Sequence, residues 1–252
     1  MYGKDHIIFT VTSLVLTIAL LIVCAKKLKK QKHKDAVLFW SAIITVALHY
    51  SILYVDFLST GKAEVNSTML LPVYPCNVAM WLLLTVGLWR NKSGAAFKFF
   101  AEITFYLGVI GGTVGLVFNE NYMANPDMGN WDIFKGLLSH STLIFGCLYL
   151  LVGKYIRIRM DNFPSIIIGL VGLVADGAFM IALFMAFKLD PPNCMFLLEN
   201  PFPQIEWFNP WLLGLVALIA IVIFIVVYEH FALKKQDRAL VKFIDKLKKK
   251  EK

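Results

Sequence analysis

The sequence predicts an all-α membrane protein with seven transmembrane helices, an N-terminus outside and a C-terminus in the cytoplasm. Of the 252 residues, 58% are hydrophobic and only 17% are charged, and the mean hydropathy is +0.67. Runs of about 20 residues with almost no charge recur along the chain, and each is long enough to cross a bilayer core of roughly 30 Å. The basic residues fall in alternate loops between these runs, as they do in proteins that insert with one fixed orientation.

The apolar runs define the elements in order. A chain in lipid has to satisfy its backbone polar groups internally, so each run is expected to be a helix. The predicted spans are residues 7–25, 36–56, 69–89, 95–118, 131–152, 163–187 and 209–231. They form one domain over residues 1–252, with a basic cytoplasmic tail at about 232–252. The first run is not a secretory signal peptide, because its lysines follow the apolar segment instead of preceding it.

The loops predict the orientation. Those after the first, third and fifth spans are basic; they contain six lysines between Lys26 and Lys34, then Arg90, Lys92, Lys98, Lys154, Arg157 and Arg159. The other three loops are mostly acidic and contain two lysines; they are residues 57–68, 119–130 and 188–208. Because loops rich in lysine and arginine stay in the cytoplasm, every loop predicts the same orientation in the cell membrane.

This loop pattern accounts for the net charge of +8. Nucleic-acid binding is not expected, because it needs a continuous basic face and these basic residues are spread over separate loops. The tail LKKQDRALVKFIDKLKKKEK interleaves lysines with apolar residues. Two interpretations stay open for the tail: an amphipathic helix that lies on anionic lipid, or a solvated basic segment.

Titratable or nucleophilic side chains at membrane depth are costly and therefore mark candidate sites. They are His49, Cys76, Glu102, His140 and Asp176. At roughly 1.5 Å per residue, His49 and Cys76 lie about 10 Å below the outer membrane edge and His140 about 13 Å below it. Asp176 lies near the middle of the sixth span, and Glu102 lies in the inner half. One thiol and two imidazoles at a shared depth indicate nucleophilic chemistry, in which a histidine base activates the cysteine.

The segment LLPVYPCN, residues 70–77, places two prolines near the start of the third apolar run. Proline fits best in the first turn of a helix, so Pro75 is expected to begin the helix and to place Cys76 and Asn77 in that turn. Their N–H groups would then lack an intrahelical acceptor, and the positive helix end would stabilise a thiolate or an oxyanion. Residues 69–74 would be irregular backbone at membrane depth, which predicts a recess open to the outer leaflet.

These features also have purely structural interpretations. The glycines of GVIGGTVG, residues 108–115, are expected to let another helix approach closely. Cys76 can be a small apolar packing residue, and the histidines can be hydrogen-bond partners between helices. Cys194 lies in an outer loop and can reach Cys76 as a disulfide, which would remove the nucleophile.

Three stretches resemble the YwaF-like integral membrane protein family, which is related to eukaryotic transmembrane protein 164. LLPVYPCN is similar to the family's Leu-Pro-x-His-x-Cys segment, with Tyr74 in place of its histidine. WDIFKGLLSHSTLIFGCLYLLVG, residues 131–153, resembles the family's histidine-containing span. NCMFLLENP, residues 193–201, resembles the Asn-Tyr-Met-Phe-Leu element before the last span, with Cys194 in place of the tyrosine.

The resemblance implies a seven-helix membrane fold. For the transmembrane protein 164 branch it also implies acyl transfer between phospholipids, with a catalytic cysteine and histidine that fall on Cys76 and His140. The chain is more distantly similar to the androgen-induced membrane lipid hydrolases. The hypothesis is therefore a phospholipid acyltransferase or acyl hydrolase that acts through a thioester, with no metal or other cofactor. Its supporting residues are His49 or Asp176 to orient the base, Asn77 to hold the oxyanion, and Tyr74 beside the helix start.

Two other functions stay open. A transporter or channel would use the polar side chains, including Glu102, as a path through the helix bundle. A non-catalytic binding or assembly protein would use them to hold helices together. A polar path that reaches both faces would favour transport, and a site closed toward the cytoplasm would favour the enzyme. The sequence does not predict an oligomeric state.

Overall fold

The computed structural model is built from helices throughout the part that it describes, residues 3–62, 70–119, 122–123, 125–200 and 209–250. The α-helices of this part are α1 (Lys4–Lys27), α2 (Gln31–Thr60), α3 (Pro75–Leu88), α4 (Ala95–Val117), α5 (Trp131–Val152), α6 (Phe163–Ala186), α7 (Pro210–Ala232) and α8 (Ala239–Lys250). Short 3-10 helices at Met160–Asn162, Cys194–Phe196 and Lys235–Asp237 lie between them. The last two residues of the predicted tail, 251–252, fall outside the described residues.

Six of the described helices are long and apolar enough to cross a membrane, namely α1, α2, α4, α5, α6 and α7. Their bounds agree with the predicted runs to within a few residues; the fifth run, for example, was predicted at 131–152 and forms Trp131–Val152. The prediction of an all-α, multi-pass membrane protein is therefore confirmed.

The third apolar run differs from its prediction. Its helix α3 has only 14 residues and begins at Pro75, whereas the run was predicted to span 69–89. Residue 69 lies outside the described residues, and residues 71–74 form no helix. A helix of this length measures about 21 Å, which is shorter than the roughly 30 Å of a bilayer core. The length of α3 alone therefore does not support the predicted seventh membrane crossing.

Side chains and prolines determine where several helices begin. Proline is the first residue of both α3 and α7, where its missing N–H costs no hydrogen bond. The side chain of Asn130 caps α5 by accepting a hydrogen bond of 2.9 Å from the N–H of Asp132. Asn209 caps α7 in the same way, through the N–H of Leu212 at 2.9 Å. These caps satisfy N–H groups that have no partner inside the helix.

Helices α4 and α5 form the centre of the bundle. In their most apolar windows 56% of the residues are buried, against 11% in α1 and 17% in α6 and α7. Helix α5 packs against α1, α2, α3 and α4, and α4 also packs against α6. The apolar side chains of the outer helices are exposed; in α1 they include Ile8, Val11 and Val15. A large apolar surface around an apolar core is what a protein surrounded by lipid presents.

The basic loops share one end of the bundle, which we call the basic end (residues 28–30, 89–94 and 153–159). The hydroxyl of Tyr155 donates a hydrogen bond of 2.6 Å to Asp35, and this bond joins the loop after α5 to the start of α2. Burial raises the pKa of Tyr155 far above its usual range, and its bond to Asp35 raises it further. The phenol therefore stays a hydrogen-bond donor at all physiological pH values.

Candidate active site

The start of α3 has the geometry that its sequence predicts. Tyr74 is extended, with φ −120° and ψ 153°, and Pro75 opens the helix. Cys76 therefore lies in the first turn. Its thiol is partly buried and donates a hydrogen bond of 3.4 Å to the side-chain oxygen of Asn77. The amide nitrogen of Asn77 in turn donates to the carbonyl of Leu71 at 3.3 Å, so the Asn77 side chain connects the thiol to the segment before the helix.

One part of that prediction is wrong. The backbone N–H of Asn77 was expected to lack an acceptor, but it donates to the carbonyl of Tyr74 at 3.0 Å. The chain enters the helix through a tight turn, and a bond to the third residue back satisfies this N–H group. The backbone N–H of Asn77 therefore already has a hydrogen-bond acceptor. The contact of Asn77 with the thiol is made by its side chain.

The irregular segment before α3 is covered by protein. Val73 is fully buried, and its carbonyl accepts a hydrogen bond of 2.8 Å from the N–H of Met195. The rings of Tyr74 and Phe196 lie 5.8 Å apart. The 3-10 helix Cys194–Phe196 thus packs on this segment and pairs with its backbone. Non-helical backbone at membrane depth is tolerated where protein covers it, and here the covering element is the loop before α7.

Glycines of α4 bring Cys76 and His140 to the same helix face. A β-carbon at Gly111 would lie 3.4 Å from the nitrogen and 3.5 Å from the α-carbon of Cys76. A β-carbon at Gly115, one turn along α4, would overlap the imidazole of His140. Residues four apart on a helix are neighbours at roughly 5–6 Å. The backbone of Cys76 and the imidazole of His140 therefore lie against successive turns of one glycine face, and the imidazole is the group that requires glycine.

The other two glycines of this run serve packing alone. A β-carbon at Gly112 would lie 2.8 Å from the side chain of Ile144, and one at Gly108 would overlap the thiol of Cys147. Cys147 is completely buried under this contact. The expectation that GVIGGTVG permits close helix approach is confirmed.

His140 has two polar neighbours from the α2–α5 interface. His49 and Lys135 lie close enough for their charges to act on its imidazole. The side-chain nitrogen of Lys135 contacts the carbonyl of His49 at 3.4 Å and forms an ion pair with Asp132 at 3.0 Å. The Lys135 side chain is only 9% exposed, so its positive charge lies inside the bundle. Lys135 thus joins α5 to the backbone of His49 on α2 and adds a buried cation, and a direct contact between the His49 and His140 side chains stays a prediction.

Asp176 and Glu102 lie elsewhere. Asp176 lines an open groove of about 390 Å³ between α3 and α6, together with Leu70, Pro72, Val78, Trp81, Leu82 and Thr85. Among the described residues no hydrogen-bond partner reaches its Oδ2. These residues belong to the face of α3 opposite Cys76, so Asp176 is not placed to orient His140. Glu102 lies near Ser165 of α6, away from the glycine face.

The sequence predicts a recess at Cys76, and the open groove in the structure lies on another side of α3. The groove between α3 and α6 is open and begins at Leu70, but Cys76 does not line it. Cys194 does not bond to Cys76 either, because all four cysteines are thiols. Cys194 is completely buried and packs with Val73, Met180 and Phe184.

Sequence reasoning missed two residues near the site. No role was predicted for Lys135. The signal for one was its position on the helix of His140, three residues after the acidic partner Asp132. His6 was also missed; it is 2% exposed, and its Nε2 lies 2.9 Å from the carbonyl of Leu116. The His6 ring stacks on Tyr122 with centroids 4.7 Å apart. These contacts hold the N-terminal end of α1 beside Leu116, the residue after Gly115.

Within the described residues no group of three or more histidine, cysteine or acidic side chains is arranged to hold a metal ion. The glycine face of α4 contacts the backbone of Cys76 and the imidazole of His140. The adjoining α2–α5 interface contributes His49 and the buried ammonium group of Lys135.

Comparison with known proteins identifies the family. A model of the TMEM164 family matches residues 1–228 of the 252. No curated protein and no solved structure matches the chain. The matched range contains both Cys76 and His140, and it includes all the helices from α1 to the greater part of α7. The relation inferred from the three short stretches is confirmed, and this chain belongs to the TMEM164 family.

Proposed function

We propose that this protein is a membrane enzyme that transfers or hydrolyses the acyl chains of phospholipids, with Cys76 as nucleophile and His140 as base. The observation that carries the proposal is the glycine face of α4, where Gly111 contacts the backbone of Cys76 and Gly115 contacts the imidazole of His140. A cysteine becomes a good nucleophile as a thiolate, and a nearby histidine is its usual activator.

The reaction would proceed in two halves. His140 takes the proton of the Cys76 thiol, and the sulfur attacks the carbonyl carbon of a phospholipid ester. The carbon–oxygen bond of the ester breaks, the lysophospholipid leaves with the proton from His140, and the acyl group remains on Cys76 as a thioester. His140 then deprotonates the hydroxyl of a second lysophospholipid, or water, which attacks the thioester and restores the thiol.

Three neighbours support these steps. The Asn77 side chain accepts from the thiol and holds it at the helix start. His49 lies beside His140, where it can position the ring. Lys135 supplies a buried positive charge near the imidazole, and a fixed cation in a site shielded from water stabilises developing negative charge.

The packing below the site favours an enzyme over a transporter. Most side chains beneath the Cys76 and His140 layer are apolar and almost fully buried; Ala79, Leu83, Cys147 and Leu150 are 0% exposed and Leu143 is 2% exposed. The buried serine and threonine hydroxyls there donate to carbonyls of their own helices and do not form a file; they include those of Ser41, Thr104 and Ser141. Glu102, which a transport path would need, lies near Ser165 of α6, outside this core. A site closed toward the basic end fits chemistry on a lipid and does not fit a continuous polar path.

The proposal includes an orientation. The basic end faces the cytoplasm, and α3 begins inside the outer half of the membrane, with its first turn reached from that leaflet. The covered segment 71–74 completes the crossing that α3 alone is too short to make.

The test uses purified protein in detergent or nanodiscs with acyl-labelled phosphatidylcholine. Cys76→Ala and His140→Ala should each lower product formation by at least roughly a hundredfold, because each removes a reacting group. Cys24→Ala is the matched control, since Cys24 is also a partly buried thiol but lies on α1. Full activity in either site variant would overturn the assignment. Product formed only when lysophospholipid is added would identify a transferase, and release of free fatty acid would identify a hydrolase.

A further inference from the structure

The terminal helix α8 is amphipathic, and the described residues leave its apolar face without a partner. Its sequence ALVKFIDKLKKK contains five lysines, and helical spacing places Leu240, Phe243 and Ile244 on one face with Lys242 and Asp245 on the other. These three side chains are 54%, 60% and 42% exposed. A helix of 12 residues is marginal in water, so a surface that covers this face is needed to hold it.

A buried carboxylate at the end of α7 fixes where α8 begins. Glu229 is 4% exposed and accepts two backbone hydrogen bonds, at 2.8 Å from Met160 and at 2.7 Å from Ala239. Ala239 is the first residue of α8, where N–H groups lack intrahelical partners and negative charge is favourable. Met160 opens the 3-10 helix that leads into α6. One carboxylate therefore ties the start of α8 to the start of α6.

The link between α7 and α8 is short and internally bonded. The side chain of Arg238 donates to the carbonyl of Leu233 at 3.2 Å, and a second guanidinium nitrogen lies 3.2 Å from the ring of His230. The 3-10 helix Lys235–Asp237 occupies the middle of the link. The direction in which α8 leaves α7 is thus set by several contacts at once.

The location of α8 identifies what covers it. Because Glu229 joins α8 to Met160, the helix lies at the basic end, beside the loop that carries Lys154, Arg157 and Arg159. It starts where the apolar helix α7 ends, which is the level of the membrane boundary. A basic helix with an apolar face at that boundary matches an anionic lipid surface in both charge and polarity.

We propose that α8 is an interfacial helix that binds the anionic phospholipid surface at the basic end, and that Glu229 is the positioning residue that holds its first turn. Leu240, Phe243 and Ile244 insert among the upper acyl carbons, and the lysines contact the phosphates. This inference does not depend on acyl transfer, since it concerns the opposite end of the bundle from Cys76.

The experiment measures hydrogen–deuterium exchange of residues 239–250 in the full-length protein. Nanodiscs of phosphatidylcholine alone are compared with nanodiscs in which phosphatidylglycerol replaces a stepwise increasing share. Exchange in α8 should slow by roughly tenfold or more as the anionic share rises, because each lysine at an anionic surface adds a several-fold gain in affinity. Equal exchange in both compositions would overturn the proposal and would indicate that protein or a second copy covers the helix.

Charge variants separate the lipid from other causes. Lys242→Glu with Lys246→Glu should abolish the dependence on phosphatidylglycerol, whereas Lys242→Arg with Lys246→Arg should keep it. Persistence of the dependence in the glutamate variant would contradict the assigned surface. The arginine pair is the matched control, because it changes both side chains and retains both charges.

Glu229 has its own test. Glu229→Ala removes both acceptor oxygens, so a higher share of phosphatidylglycerol should be needed to protect α8. The melting temperature of the bundle should also fall, because the N–H of Met160 loses its acceptor. Glu229→Gln keeps one acceptor oxygen and should give an intermediate midpoint. An unchanged midpoint in Glu229→Ala would remove the positioning role from the proposal.

Discussion

Gly115 is the residue that sets how closely the imidazole of His140 approaches α4. A methyl group there would overlap the ring, so the side chain of His140 can occupy its place only beside a glycine. Gly111 faces the backbone of Cys76 less tightly, because a β-carbon there would lie 3.4 Å from the cysteine nitrogen, which is an ordinary van der Waals contact. Gly115 is therefore the glycine that the site requires.

Gly115→Ala should lower acyl-transfer activity by at least roughly tenfold, because the added methyl displaces the imidazole and small shifts of a catalytic base are costly. Overpacking of this kind also costs about 1–3 kcal/mol of stability. Product formation and the melting temperature are measured on the same preparation. Wild-type activity in a folded Gly115→Ala variant would show that the position of the ring is not critical.

Gly108→Ala is the matched control for that loss. Its added methyl would overlap the thiol of Cys147 instead of the imidazole, so its stability should fall by a similar amount while activity stays close to wild type. Gly172→Ala provides the baseline, since nothing lies within 4 Å of its β-carbon position. It should gain about 0.5–1 kcal/mol from the better helix propensity of alanine.

At the scale of single elements, α3 depends on a loop that is distant in sequence. The 3-10 helix Cys194–Phe196 covers the segment before α3 and is itself seated on Gly177 of α6, whose virtual β-carbon lies 2.8 Å from Met195 and 2.9 Å from Leu197. Met195 and Phe196 have φ values of 49° and 59°, in the left-handed region that is costly for these residue types. The packing against α6 and Val73 holds this conformation in place.

Gly177→Ala should therefore lift the 3-10 helix and expose the thiol of Cys194, which is 0% exposed in the native structure. The rate of maleimide labelling at Cys194, followed site by site by mass spectrometry, should rise at least several-fold. Gly172→Ala on the same helix should leave that rate unchanged, because its β-carbon meets no neighbour within 4 Å. An unchanged rate in Gly177→Ala would mean that the loop adjusts without opening.

Rotation about the helix axis was not predictable from the sequence. Counting residues placed His49 and His140 at one level. That shared depth stays a prediction, although the backbone of His49 contacts Lys135 on the helix that carries His140. The same count placed Asp176 slightly deeper, yet that carboxylate lies on the far side of α3, in the groove with Trp81. Which way a helix turns depends on packing against its neighbours, and a single sequence does not specify that order.

The partners of individual hydrogen bonds could not be predicted from the sequence either. Pro75 marked the helix start correctly, since proline is tolerated there for a local reason. The bond from the N–H of Asn77 to Tyr74 depends on the tightness of the first turn, which residue types alone do not determine. Lys135 was missed for a related reason, because its burial requires the partners Asp132 and His49 to meet it.

At the scale of the whole molecule, charge divides the bundle into two ends. The basic end carries the loops after α1, α3 and α5 as well as α8, whereas the described loops at the other end carry Asp127, Asp190 and Glu199. Transmembrane proteins keep basic loops in the cytoplasm, so this division predicts the orientation of every helix together.

Single cysteines introduced at the two ends test this orientation in intact cells. Asp190→Cys should react with a membrane-impermeant maleimide directly, and Ser93→Cys should react only after the membrane is permeabilised. Both are placed in a Cys24→Ala and Cys76→Ala background, where the remaining thiols Cys147 and Cys194 are fully buried. The reverse labelling pattern would invert the proposed topology and move the site to the cytoplasmic leaflet.

The short length of α3 has a consequence for the lipid around it. Helix α3 measures about 21 Å, whereas the neighbouring α4, with 23 residues, measures about 35 Å. Leu70, Trp81 and Leu88 are 45%, 36% and 53% exposed, so α3 forms part of the lipid-facing perimeter. A bilayer relieves such hydrophobic mismatch by becoming thinner beside the shorter segment. Such thinning would draw the ester linkages of adjacent lipids inward, toward the level at which Cys76 begins its helix.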